Sequence, residues 1–99
     1  MFTIEYVEGV ADDLAGIRPF DRRQLVDRIE EQLKHEPTTP SRNKKMLVGL
    51  IPPWDHMPPV WQLRVGDYRV FYDVDASEQR VSVRAVRHKP PHTTTEDIL

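Results

Sequence analysis

The sequence has no cysteine and only four glycines. Without cysteine, the protein cannot use disulfides, thiolate catalysis or cysteine-ligated zinc. No Gly-rich phosphate loop, no paired carboxylates on a recognisable scaffold and no nucleophile turn around a serine is present, so a classical metabolic enzyme is not indicated. No apolar run approaches the roughly 18 residues of a membrane span, and the start lacks a signal pattern. We therefore expect a soluble, cytoplasmic protein with no membrane contact.

Charge is unevenly distributed along the chain. The net charge of −2 argues, taken alone, against a nucleic-acid binder. However, residues 1 to 40 sum to −4, residues 41 to 92 to +4, and the last seven residues to −2. This asymmetry indicates a basic working surface built by the second half of the chain, although a mixed solvated surface is an equally good interpretation.

A β-hairpin is the clearest local signal. The stretch "WQLRVGDYRVFYDVD", residues 61 to 75, alternates apolar and polar side chains, and Gly66-Asp67 suits a two-residue turn with glycine first. This register places apolar and aromatic side chains from Trp61 to Val74 on a core face. Arg64 then lies directly opposite Arg69 on the other face, where two like charges need an anion such as Asp73, a phosphate or a carboxylate of a partner.

The rest of the chain predicts one α+β domain over residues 1–99. A short strand "FTIEYV" is followed by two helices, the second with Asp21 as its N-cap and ending near Pro37. An irregular proline-rich segment carries a basic loop with Arg42, Lys44 and Lys45. The last strand, "RVSVRAVRHK", breaks its alternation at Val86, which indicates a bulge. The predicted architecture is an antiparallel sheet with two helices packed on one face.

The element order, the segment "RNKKML", the hairpin and the last strand together resemble the RelE/ParE superfamily of bacterial type II toxins. The resemblance covers essentially the whole chain, and "LRVGDYRVFYDV" is its most specific part. It implies a toxin that forms a hetero-oligomer with a cognate antitoxin protein. RelE-like members cleave mRNA in the ribosomal A site, whereas ParE-like members bind DNA gyrase without catalysis, and fold alone cannot choose between these targets.

For the nuclease, the resemblance implies specific roles. Arg69 matches the hairpin arginine that stabilises phosphate charge, and Lys89, with His88 beside it, matches the position of an acid or base after the last strand. His92 is a further candidate for proton transfer. Arg64, together with the basic loop of Arg42, Lys44 and Lys45, is expected to position RNA.

The chain also departs from the nuclease pattern. Val60 and Gln62 stand where some RelE members carry lysines, and the tail has no tyrosine. The sequence therefore predicts a ribosome-dependent, metal-independent mRNA endonuclease, with a gyrase inhibitor or a non-toxic antitoxin-binding homologue as alternatives. We expect no metal site at His88 and His92, because Pro90-Pro91 prevents these histidines from sharing a helix face. We also expect no organic cofactor.

Overall fold

The computed structural model describes all residues from 1 to 99. The elements follow in the order strand, helix, helix and four strands, with a final 3₁₀ turn. They are β1 (Thr3–Tyr6), α1 (Val10–Ala15), α2 (Pro19–Leu33), β2 (Lys44–Leu47), β3 (Val60–Val65), β4 (Tyr68–Asp75), β5 (Arg80–His88) and the 3₁₀ helix Glu96–Ile98. None of the helices is both long and apolar enough to cross a membrane.

The five strands form one sheet in the order β1-β5-β4-β3-β2. The hairpins β2–β3, β3–β4 and β4–β5 are antiparallel, while β1 pairs with β5 in parallel. The predicted α+β class, with two helices on one face, is confirmed. The sheet was predicted to be antiparallel, but it is mixed, because β1 runs parallel to its neighbour β5.

Helix α2 begins three residues earlier than predicted, with its N-cap at residue 18 instead of residue 21. Pro19 occupies the first turn, where its missing N–H costs no hydrogen bond, and Arg18 is the N-cap. The expectation that Asp21 caps the helix is therefore wrong; its carboxylate lies inside the first turn and pairs with Arg18 at 2.9 Å. The apolar stripe of this helix buries Leu25, Ile29 and Leu33 against the sheet.

The main core lies between the helices and one face of the sheet. Its buried strand residues include Trp61, Leu63, Val70 and Tyr72, which are the residues that alternation assigned to the core face of the hairpin. The predicted turn is present, with Gly66 at φ 58°, and the register pairs Val65 with Tyr68. The residues that reach this core from outside the hairpin are Val10, Ile17, Leu25, Ile29, Leu33, Val81, Val83 and Val86.

The opposite face of the sheet, here called the second face, carries a smaller apolar cluster. Val60, Phe71 and Ala85 are buried there, and Trp54 lies with its ring centroid 5.4 Å from that of Phe71. The C-terminal residues Ile98 and Leu99 pack on the same cluster. The proline-rich segment and the tail thus cover the part of the second face around Phe71.

Strand β5 contains the irregularity that Val86 predicted. Tyr72 pairs with Val83, but the neighbouring Phe71 pairs with Ala85, so Arg84 is an extra residue in β5. Val83 and Val86 both belong to the main core, whereas Ala85 belongs to the second face. Because of the bulge, the side chain of every later residue in β5 lies on the opposite face of the sheet from the one that unbroken alternation would give.

Candidate functional site

The two hairpin arginines lie at the uncovered end of the second face. Arg64 and Arg69 are direct cross-strand partners, as the sequence predicted. Arg69 donates hydrogen bonds from Nη1 to the carbonyls of Gly66 (3.0 Å) and Tyr68 (2.9 Å), whereas Arg64 is exposed. These contacts fix the position of Arg69 on the turn.

Neither hairpin arginine forms an ion pair with a carboxylate. Asp73, a possible counter-charge from the sequence, is buried and bound by Arg84 instead, with Nε–Oδ2 2.9 Å. Burial, and then the charge of Arg64, lowers the pKa of Arg69, and the carboxylate of Asp67 opposes the shift. The arrangement favours a bound anion, because an anion would offset both effects.

A cavity of about 210 Å³ opens beside these arginines. Its walls contain no apolar side chain, no carboxylate and no imidazole, and every lining side chain can donate a hydrogen bond. The lining residues are Arg42, Asn43, Lys45, Gln62, Arg64, Arg69, Lys89 and Thr95. We call this the basic cavity; its chemistry suits a phosphate group.

Strands on both sides of the arginine pair supply the two lysines of the basic cavity. Lys45 belongs to the edge strand β2, where it pairs with Gln62. Lys89 follows β5, and its backbone N–H donates to the carbonyl of Asp67 at 2.7 Å. The cavity thus unites five of the predicted site residues, Arg42, Lys45, Arg64, Arg69 and Lys89.

Lys44 does not share this surface. The predicted basic loop is in part the strand β2, and Lys44 is only 6% exposed. Its ammonium donates to the carbonyls of Gln32 (3.1 Å) and Glu36 (2.8 Å), at and just beyond the end of α2. The expectation that Lys44 lies in an open loop is wrong, because the amine satisfies carbonyls that a helix end leaves unpaired.

The two histidines predicted as site residues, His88 and His92, are also outside the basic cavity. His88 packs edge-on against Tyr68, with ring centroids 5.4 Å apart, and lines a larger cleft of about 970 Å³ on the helix side of the hairpin. His92 is exposed, has φ 66°, and lines neither space. Arg42 and Arg64 border both the cleft and the basic cavity, so the two spaces meet at these side chains.

Three residues that line the cavity were not predicted as site residues: Asn43, Gln62 and Thr95. Thr95 donates from Oγ1 to the Oε1 of buried Gln62 at 3.1 Å, so the tail is bonded to β3 at the wall of the cavity. Thr94 and Asp97 hold this tail by reciprocal bonds between side chain and backbone. No group of three or more potential metal-ligating side chains is present.

Comparison with known families gives a match over most of the chain. The family model described as "ParE toxin of type II toxin-antitoxin system, parDE" matches residues 4–89. The chain belongs to this family. It is therefore a toxin of the type II toxin-antitoxin class and a member of the RelE/ParE superfamily, as the resemblance implied. No curated protein sequence matches the toxin.

Solved structures confirm the fold of the toxin. The RelE–RelB complex of Pyrococcus horikoshii OT3 matches with a TM-score of 0.69 and 19% identity, covering 94% of this chain and 98% of the other. The RelBE2 complex of Mycobacterium tuberculosis gives 0.67 and 22%, covering 89% and 98%. Isolated Escherichia coli RelE gives 0.67 and 20%, covering 98% and 93%.

Proposed function

We propose that the toxin is a ribosome-dependent mRNA endonuclease whose chemistry is carried by side chains alone. The observation that supports this most directly is the basic cavity, in which the facing pair Arg64 and Arg69 forms no ion pair with a carboxylate of the protein. A phosphodiester supplies that charge and fits a space of about 210 Å³. The cavity offers little contact to bases, so a second macromolecule must hold the RNA in place. In this proposal that macromolecule is the ribosome.

Each lining residue takes a role that follows from its chemistry. Arg69, held by the turn carbonyls, stabilises the negative charge that develops on the phosphoryl oxygens. Arg64 and Arg42 bind the RNA backbone, and Lys45 also supplies positive charge. Lys89 takes part in proton transfer.

Three predicted residues enter the proposal differently. His88 lines the larger cleft. It would therefore act only on a nucleotide that extends from the basic cavity into this cleft, past Arg42 and Arg64. His92 would need the tail to move before it could reach the phosphate. Lys44 has no part in RNA binding here, because its ammonium is bound inside the protein.

A gyrase inhibitor without catalysis is the second candidate. Two observations favour it: the family model that matches is that of ParE toxins, and the basic cavity has no carboxylate or imidazole to act as a base. In that case the arginine pair would bind a carboxylate-rich surface rather than RNA.

We also propose that a cognate antitoxin is the physiological partner. The P. horikoshii and M. tuberculosis structures are of toxin–antitoxin complexes, and their toxin chains share the fold of this protein. An antitoxin segment rich in carboxylates would neutralise Arg64 and Arg69 and thereby compete with RNA. The toxin and antitoxin would form a hetero-oligomer.

Two assays on one preparation test the proposal. Primer extension on mRNA from translating ribosomes should show cleavage in the A site, while supercoiling by gyrase should be unaffected. Inhibited supercoiling together with intact mRNA would establish the gyrase candidate instead. Induction of the toxin without an antitoxin should arrest bacterial growth; normal growth with abundant soluble protein would identify a non-toxic homologue that only binds its antitoxin.

A further inference from the structure

The basic cavity contains two side chains that can exchange a proton during catalysis, and both are lysines. Its arginines stay protonated in proteins, and its asparagine, glutamine and threonine do not titrate. His88 and the carboxylates line other surfaces. If RNA is cleaved at this site, the two proton transfers that the reaction needs fall to Lys45 and Lys89.

The sheet places these lysines on opposite sides of the arginine pair. Lys45 lies on β2 and Lys89 directly after β5, with β3 and β4 between them. Three strand spacings separate their backbones by about 14 Å across the sheet. Lys45 is level with Ala85 of β5, and Lys89 lies four residues beyond Ala85, which adds about 13 Å along the strands. Each lysine has a flexible four-carbon stem, so the two amines can approach a phosphate at Arg69 from opposite directions.

We propose that Lys45 and Lys89 form a general acid–base pair that flanks the phosphate bound by Arg64 and Arg69. The inference rests on the proposed nuclease function and changes the role of Lys45 from an RNA contact to a catalytic residue. It also explains why Gln62 can occupy a position where some relatives carry lysine: Lys45 is its direct cross-strand partner and brings an amine to the same cavity.

The reaction balances with these two groups. One lysine, as the neutral amine, accepts the proton of the 2′-hydroxyl, and the 2′-oxygen forms a bond to phosphorus. The bond from phosphorus to the 5′-oxygen breaks in line with this attack, and the second lysine, as the ammonium, donates a proton to the departing oxygen. The products are a 2′,3′-cyclic phosphate and a 5′-hydroxyl. Exchange with water restores both lysines.

Charge-preserving variants test the pair. Lys45→Arg and Lys89→Arg keep a cation in the cavity but cannot exchange the proton, so each should slow single-turnover cleavage of A-site mRNA by on the order of 10² or more. Binding to programmed ribosomes should stay within about twofold. Lys34→Arg is the matched control, because Lys34 lies at the end of α2 outside the cavity, and it should cleave like the wild type.

A modified substrate separates the acid from the base. In an mRNA whose scissile 5′-oxygen is replaced by sulfur, the leaving group needs no proton. Cleavage of this substrate should be restored in one of the two arginine variants, the one that lacks the acid, and not in the other.

Wild-type rates in Lys45→Arg, or restoration of both variants or of neither, would overturn the acid–base pair while leaving the nuclease function intact. Absence of cleavage by the wild type would instead remove the nuclease function, and the pair with it.

Discussion

Asp73 forms a two-point ion pair with Arg84, in which Nε–Oδ2 is 2.9 Å and Nη2–Oδ1 is 3.2 Å. The same carboxylate accepts the backbone N–H of Met57 at 2.9 Å, so it joins the proline-rich segment to the sheet. Asp73 is 2% exposed, and the pair replaces its lost hydration with three hydrogen bonds. The Asp73 carboxylate therefore has a structural role, and it does not neutralise the hairpin arginines Arg64 and Arg69.

Asp73→Asn should therefore destabilise the protein. Removing one partner of a buried pair leaves the other uncompensated, and because Arg84 is partly exposed we expect a loss of about 3 kcal/mol, the low end for such pairs. Urea unfolding measures the change. Asp21→Asn breaks the exposed pair with Arg18 and is the control, with an expected cost below about 1 kcal/mol. Equal costs for the two variants would contradict a structural role of Asp73.

Arg69→Ala should slow cleavage of A-site mRNA by on the order of 10² or more, the scale of losing one electrostatic stabiliser. The free energy of unfolding should change by about 1 kcal/mol or less, because the side chain bonds only carbonyls of its own turn. Arg80→Ala is the control: Arg80 lies at the far end of β5, outside the basic cavity. Equal cleavage by the Arg69 variant and the wild type would remove Arg69 from the site.

The double variant Arg64→Glu/Arg69→Glu should bind the antitoxin more weakly at physiological salt, because it reverses the charge that the carboxylates of the partner would meet. Titration calorimetry with the purified antitoxin gives the affinity. Arg23→Glu/Arg28→Glu on exposed positions of α2 changes the net charge equally and is the control. Unchanged affinity in the hairpin variant, with a loss in the α2 variant, would show that the antitoxin binds along the helices.

Lys44→Met and Lys45→Met should differ sharply in stability although the residues are adjacent. Loss of the Lys44 ammonium leaves the carbonyls of Gln32 and Glu36 without their donor, at an expected cost of about 1 to 3 kcal/mol. Lys45 is exposed and should cost about 0.5 kcal/mol or less. Thermal or urea unfolding compares the pair, and similar values would show that the contacts of Lys44 contribute nothing.

Local features of this fold could be predicted from sequence patterns, whereas contacts between distant segments could not. The alternation of the hairpin and the turn residues Gly66-Asp67 predicted the register in which Arg64 lies opposite Arg69, because both signals are local. The burial of Lys44 could not be predicted, since it depends on where the end of α2 meets β2 in space. The pairing of Asp73 with Arg84 likewise depends on contact between separate strands, and no spacing within either strand encodes it.

The start of α2 illustrates a competition between two local signals. Asp21 with Gln24 fits a capping box, yet Pro19 starts the helix two residues before it. The coverage of the second face by Ile98 and Leu99 could not be predicted from the local pattern, because the alternation of the hairpin shows which residues share a face and not which distant segment covers it.

The extra residue Arg84 determines which titratable side chain at the end of the last strand lines the basic cavity. With an unbroken alternation from Val83 onward, His88 would face the basic cavity and Lys89 would face the helices. Because of the bulge, Lys89 lines the basic cavity instead, and the imidazole of His88 packs against Tyr68. A one-residue insertion or deletion here would thus replace one acid–base group with another without altering either residue. Among chains of this fold, the register of the final strand is therefore as informative as residue identity when a proton-transfer group is assigned.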